Sequence, residues 1–312
     1  MEGVSSGSEL DYFYDPPRVK KPDANLGGFK LLCEALASSQ IEVISMKSCY
    51  LGPQALTPLT EAIKVMAAVS SVAISNNFIF GTKRARVNDR WKDVHNVDKD
   101  QSGWNNLCEQ LKVSKITSFT AADVGMGPVA LRTLATSLPA AVARVVLSGN
   151  AITNGDKDLS GLTALCEALP AAKNLTAIDF SNCGIEVKGV NEIAKAVCAG
   201  AAVESIDLSG CGLTGATKDR YGNWQKIDSN MDGFIALCAV LGKVRTVRLA
   251  DCGLGASSVA ELSKIFSDAT AVVADLNMLD LRKNPGVQDR EALAVLREAA
   301  PAPCTILVDE AK

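Results

Sequence analysis

Four stretches carry the residue types that hold a divalent cation. Asp23 to Gly28, Asp98 to Gly103, Asp156 to Gly161 and Asp228 to Gly233 each read Asp-x-Asp/Asn-x-x-Gly, and in three of them a glutamate (Glu34, Glu109, Glu167) falls at the twelfth position. Side-chain oxygens at alternate positions, a glycine for the turn and a late glutamate are the parts of a calcium loop. The phasing argues otherwise. Apolar helical periodicity begins immediately after each glycine, which straightens the backbone before it wraps an ion. The same residues serve as acidic caps at a helix N-terminus, each contributing about 1 kcal/mol without any metal. No metal or other cofactor is expected.

Other chemistry is poorly supplied. The chain has one histidine, His95, inside a charged stretch, and no Ser or Cys motif to pair with it. No two cysteines form a Cys-x-x-Cys pair, and Gly242-Lys243 lacks the upstream glycine of a phosphate loop. A non-catalytic protein is expected.

The elements that position these residues recur. From Gly161 to Val197 a helix pattern (Leu162, Leu165, Leu169) precedes Leu175, Ile178, Phe180, Cys183 and Ile185, and a second helix pattern (Val190, Ile193, Val197) follows. In a strand, side chains alternate between faces, so the fourth and sixth positions of this signature point inward and the fifth points out. An Asn or Cys at the ninth position then turns inward to satisfy backbone groups freed by the turn. Eight copies begin at Ile41, Val69, Ile116, Val142, Leu175, Val203, Val244 and Leu276, and the third is the weakest, with Val124 at its ninth position. Parallel strands are expected near 44–46, 72–74, 119–121, 145–147, 178–180, 206–208, 247–249 and 279–281, with a last strand in 302–308. No single copy buries its apolar face, so stacking supplies the core.

The run Gly161-Leu-Thr-Ala-Leu-Cys-Glu-Ala-Leu169, with Leu175, Ile178-Asp-Phe-Ser-Asn-Cys-Gly-Ile185 after it, resembles the ribonuclease-inhibitor-type leucine-rich repeats, also found in NOD-like receptors and the Ran GTPase-activating protein. The likeness runs from about Gly28 to the C-terminus, and its Leu-Cys helix motif returns at Leu32-Cys33, Leu107-Cys108, Leu165-Cys166 and Leu237-Cys238. It implies an α/β solenoid, a horseshoe with parallel strands on one concave sheet, helices outside, and protein partners held by the concave face or the loop edges.

A net charge of −3 and a pI of about 5.4 argue against nucleic acid as the partner. No run approaches a membrane span and the N-terminus lacks a signal-peptide core, so a cytoplasmic setting is expected. Eight of the ten cysteines fall in two repeat series, read as buried free thiols, and Cys183, Cys211 and Cys252 are expected in a row. The expected organisation is an extended or disordered segment over 1–22, one repeat domain over 23–308, and a tail over 309–312.

Two surfaces stand out as binding candidates. The outward strand positions read Ser45, Ala73, Thr120, Val146, Asp179, Asp207, Arg248 and Asp280, neutral first and charged later, with Asp207, Arg248 and Asp280 close enough to neutralise one another. Two copies carry insertions, Gly81 to Lys99 and Thr214 to Ile227, both basic and sharing Asp-Arg followed by aromatics and a Lys. Arg90, Trp91, Arg220, Tyr221 and Trp224 are the candidate contacts to an acidic patch on a partner protein. Tyr-Gly-Asn-Trp reads as a hairpin turn, and the tryptophans double as staples of the loops to the solenoid edge. A protein-binding scaffold is the leading reading, a regulator of a small GTPase the second, a calcium-linked adaptor the third.

Overall fold

The computed structural model describes residues 6–11, 18–81, 83–87, 90–95, 97–268 and 275–309. Two compact units divide between Ala151 and Ile152.

The first unit opens with a hairpin of β1 (Glu9–Asp11) and β2 (Arg18–Lys21), paired antiparallel. Repeats follow: α1 (Gly27–Ala37) and β3 (Val43–Ser45), α2 (Leu56–Val65) and β4 (Ser71–Ala73). The first insertion forms β5 (Lys83–Val87) and β6 (Arg90–His95), an antiparallel pair. The unit then continues with α3 (Ser102–Val113), β7 (Ser118–Thr120), α4 (Pro128–Ala135) and β8 (Arg144–Val146). Its repeat strands pair in parallel in the order β3-β4-β7-β8.

The second unit holds α5 (Ser160–Ala168), β9 (Ala177–Asp179), α6 (Val187–Cys198) and β10 (Ser205–Asp207). The second insertion gives the antiparallel pair β11 (Thr217–Lys218) and β12 (Trp224–Gln225). The chain then forms α7 (Asp232–Cys238), β13 (Thr246–Arg248), α8 (Ala256–Asp268), β14 (Met278–Asp280), α9 (Arg290–Ala299) and β15 (Thr305–Leu307). Strands β9-β10-β13-β14-β15 run parallel, in register at equivalent repeat positions. Each of the eight expected repeat strands lies at its place and begins one residue earlier, since the outward fifth position ends the strand where the chain starts to turn, and β15 falls within the expected 302–308.

The inward positions behave as the alternation requires. Ile44 and Met46, Ile178 and Phe180, and Val247 and Leu249 are all buried, as are Cys183, Cys211 and Cys252. Burial pushes the Cys211 thiol up to about 11 and raises Cys252 well above its ordinary value, so neither is a ready nucleophile near neutral pH.

The ninth position does more than satisfy its own turn. Asn77 Oδ1 accepts from the N–H groups of Cys49 and Leu51 in the preceding repeat, at 3.1 and 3.0 Å, while its Nδ2 donates to the carbonyls of Met46 and Ile74, both at 2.7 Å. Asn150 does the same for Val124 and Met126, and Asn284 for Cys252 and Leu254. Val124 therefore loses nothing in its own turn, because the next repeat supplies the acceptor. Where cysteine stands at this position the thiol can only donate weakly to backbone carbonyls. Cys211 Sγ donates to Phe180 O at 3.5 Å and Cys252 Sγ to Leu208 O at 3.2 Å.

A second regularity sits one residue earlier. The eighth position is left-handed in every repeat, at Ser48, Asn76, Asp123, Gly149, Asn182, Gly210, Asp251 and Lys283. Asn, Asp and Gly tolerate this conformation, which accounts for six of the eight choices. Lys283, with φ 60°, has no such excuse. Lys283→Asn is expected to raise stability by up to about 1 kcal/mol in urea denaturation, by placing a residue suited to the left-handed region there.

The four acidic loops are caps that link one repeat to the next. The third residue of each serves its own helix: Asn25 accepts from Gly27 N, Asp100 from Ser102 N, Asp158 from Ser160 N and Asn230 from Asp232 N. The first residue reaches the helix after that. Asp23 accepts from the N–H groups of Gly52, Gln54 and Ala55, Asp156 from Glu186, Lys188 and Gly189, and Asp228 from Gly255, Ser257 and Ser258. Asp98 accepts from Gly127 and Val129. The sequence pointed to a cap on the helix that follows directly. The bonds instead tie alternate repeats into pairs, and they turn the carboxylates toward backbone donors rather than toward a common centre.

Candidate protein-binding face

The open side of the second unit's sheet carries one row of charged residues, set by register: Asp179 opposite Asp207, Asp207 opposite Arg248, Arg248 opposite Asp280. Asp179 Oδ1 accepts from Ser181 N at 2.8 Å and Asp207 Oδ1 from Ser209 N at 2.9 Å, so a residue two positions on fixes each carboxylate. Asp280 is 2% exposed and is held by Arg282 through Nε at 2.9 Å and Nη2 at 2.5 Å. The expected three-way neutralisation is thus shared with a fourth group, Arg282.

The two ends of the row differ electrostatically. Burial raises the Asp207 carboxyl above its ordinary range, and Asp179 adds to the rise, against the Ser209 hydrogen bonds and the Arg248 charge. Burial also works to raise Asp280, but the Arg282 hydrogen bonds and the Arg282 and Arg248 charges prevail and hold it below the usual range. For Asp207 the folded chain favours the protonated form. Its contribution to stability is therefore present at low pH and lost as pH rises through the raised value. Asp207→Asn keeps the acceptor for Ser209 N, so its melting temperature is expected to exceed that of the natural chain at pH 7, with the gain gone near pH 3. A melting series across pH checks both limbs.

The β11–β12 hairpin is fixed to its own unit at one spot. Trp224 Nε1 donates to Asp251 Oδ1 at 3.0 Å, Lys218 Nζ meets Asp251 Oδ2 at 2.6 Å, and the same Lys218 lies 4.4 Å above the Trp224 ring. A Cβ on Gly253 would sit 2.7 Å from the Trp224 ring, so the indole is packed against the turn of its neighbouring repeat. Trp224 is a staple, as its sequence context predicted.

The hairpin tip turns outward. Asp219 accepts from Tyr221 N and Asn223 N at 2.8 and 2.9 Å, and these bonds lower its pKa. Tyr221 is 69% exposed, with the Arg220 guanidinium 4.6 Å from its ring and bonded to its hydroxyl. Arg220, Tyr221 and Trp224 are therefore neighbours with divided roles. Arg90 and Trp91 lie on β6, where Trp91 pairs with Arg86, and their side chains fall outside the described residues. In the first unit Ser45, Ala73 and Thr120 face the open side of the sheet, while Val146 is 9% exposed.

No protein-family model matches the chain, and no curated protein does either. Solved structures do. The leucine-rich repeat-containing protein LegL7 from Legionella pneumophila aligns with TM-score 0.51 and 18% identity, over 89% of this chain and 77% of that one. The fold is a leucine-rich-repeat fold. The Rad7–Elc1 complex in yeast also aligns, at TM-score 0.43 and 13% identity, over 89% of this chain and 74% of that chain. Among the described residues of these leucine-rich repeats, no helix is long and apolar enough to cross a membrane, and no three His, Cys, Asp or Glu side chains are grouped to hold a metal ion.

Proposed function

We infer that the chain is a non-catalytic protein-binding scaffold of the ribonuclease-inhibitor type, working in the reducing cytoplasm, and that it grips a partner protein through its open sheet face and its basic–aromatic hairpins. The hairpin at 217–225 carries this reading. Its base is clamped by Trp224, Lys218 and Asp251, while Arg220 and Tyr221 are left in solvent with the loop's acid, Asp219, spent on backbone donors. A cation and an aromatic ring held out on a fixed stem lose little entropy when they bind, and Arg and Tyr dominate binding hot spots. Arg90 and Trp91 on β6 are proposed to act in the same way, and Asp179, Asp207, Arg248 and Asp280 as the contacts of the sheet face. The buried, raised thiols of Cys166, Cys211 and Cys252 support a reducing setting.

The double variant Arg90→Glu/Arg220→Glu is expected to lose capture of its acidic partner from native lysate while its melting temperature is unchanged. Capture by the natural chain should weaken with added salt. Undiminished capture by the folded double variant would refute the role given to the hairpins.

A further inference from the structure

The charge row on the second unit's sheet is ordered. Asp179 and Asp207 are half-buried carboxylates set directly opposite each other on neighbouring strands, an arrangement that costs stability. Beyond them come Arg248 and Arg282, which enclose Asp280, and Asp280 is almost wholly buried and already held by Arg282. What the row shows to solvent is therefore negative over β9 and β10 and positive over β13 and β14. The positions beside Asp179, Asp207 and Arg248 are small: Ala177, Ser205 and Thr246 before them, Ser181, Ser209 and Ala250 after them. Nothing longer than a threonine stands between an approaching chain and the two carboxylates. Among the described residues Asp179 has no cation paired with it, and burial keeps Asp207 in an unfavourable state when ionised. A stability cost kept at an accessible site is the usual mark of a site under functional constraint.

The geometry points to a receptor for one extended segment of a partner protein that crosses the strands, setting a Lys or Arg side chain over Asp179 and Asp207 and a carboxylate over Arg248 and Arg282. This rests on the scaffold reading above and names the chemistry of the partner. Two strand spacings separate Asp179 from Arg248, about 10 Å, which an extended segment covers in about three residues. The cation replaces the missing counter-charge between the two aspartates, and the acid takes guanidinium N–H groups that Asp280 leaves unused.

The test pans a phage-displayed library of random linear peptides, each about a dozen residues and so long enough to cross the strands, on the full chain at low salt. Enriched peptides should carry a Lys or Arg and an Asp or Glu about three residues apart, in either order. They should bind Asp179→Asn/Asp207→Asn at least about tenfold more weakly, and selection on Arg248→Gln should drop the acid while retaining the base. The asparagines preserve shape and backbone acceptors, and a melt of each variant confirms that it folds. Peptides that bind both variants as well as the natural chain, or that show no preferred spacing, would overturn the inference. If such peptides depend on Arg220 and Tyr221 instead, the scaffold reading stands and the sheet-face receptor falls. An absence of enrichment on the folded chain also overturns it.

Discussion

Asn284→Ala is expected to cost about 4 kcal/mol, measured as the shift of the urea midpoint at constant slope. The side chain is 1% exposed and closes four buried bonds at once, accepting from Cys252 N at 2.9 Å and Leu254 N at 3.1 Å and donating to Leu249 O at 2.7 Å and Leu281 O at 2.9 Å, with a longer, part-buried bond to Arg282 O at 3.5 Å. Alanine leaves two buried N–H groups and two buried carbonyls facing a hole, and each orphaned group costs about 1–3 kcal/mol. Cys252→Ala removes only the weak thiol bonds to Leu208 O and Ala250 O and a little volume, so its expected cost is about 1 kcal/mol. Asn284→Cys should fall between them, because a thiol donates once and cannot accept two N–H groups well. Equal costs for Asn284→Ala and Cys252→Ala would show that the ninth position matters by volume and not by hydrogen bonding.

Gly233→Ala and Gly28→Ala occupy the same position of the same sequence motif and are expected to act with opposite sign. Gly233 stands at the start of α7, where a Cβ would lie 2.4 Å from Val187 O at the start of the preceding helix. Gly103, at the start of α3, meets Pro53 O at 2.1 Å in the same way. Backbone cannot move aside as a side chain can, so each substitution forces the stacked helices apart at a cost of about 3 kcal/mol. Gly28 has no atom within 4 Å of its would-be Cβ. Alanine there gains helix propensity, up to about 1 kcal/mol. Thermal melts of the three variants decide it, and a loss at Gly28 as large as at Gly233 would contradict the stacking role.

These two results mark where the sequence was legible. Spacing alone placed each repeat strand within one residue, because the fourth and sixth positions must both reach the core and period two leaves no other register. It also located Trp224 as a staple, since an aromatic beside a turn in an insertion has few other places to go. It did not show that Asp23, Asp156 and Asp228 reach the helix of the next repeat, because that contact joins residues about thirty apart through stacking, which local phasing does not encode. The left-handed eighth position was readable in Asn76, Asp123, Asn182 and Asp251, but Ser48 and Lys283 masked the series. The pairing of Asp280 with Arg282 was missed for a related reason. Two residues on, Arg282 returns to the same face of the sheet and reaches back, which competes with the cross-strand partner expected from register. The glycines at the helix starts had a visible pattern too, and its meaning lay in the neighbouring helix backbone.

The central claim is that partners are held on the open sheet face and hairpin tip of the second unit, not on its helices. Site-specific photo-crosslinking tests it most directly, with a benzophenone amino acid placed at Ser209 on the sheet face, at Tyr221 on the hairpin tip, and at the exposed Val295 on α9. Irradiation in native lysate is predicted to give a discrete protein adduct from Ser209 and Tyr221, suppressed by added salt, and none from Val295. An adduct from Val295 alone, or equal adducts from all three positions, would contradict the account.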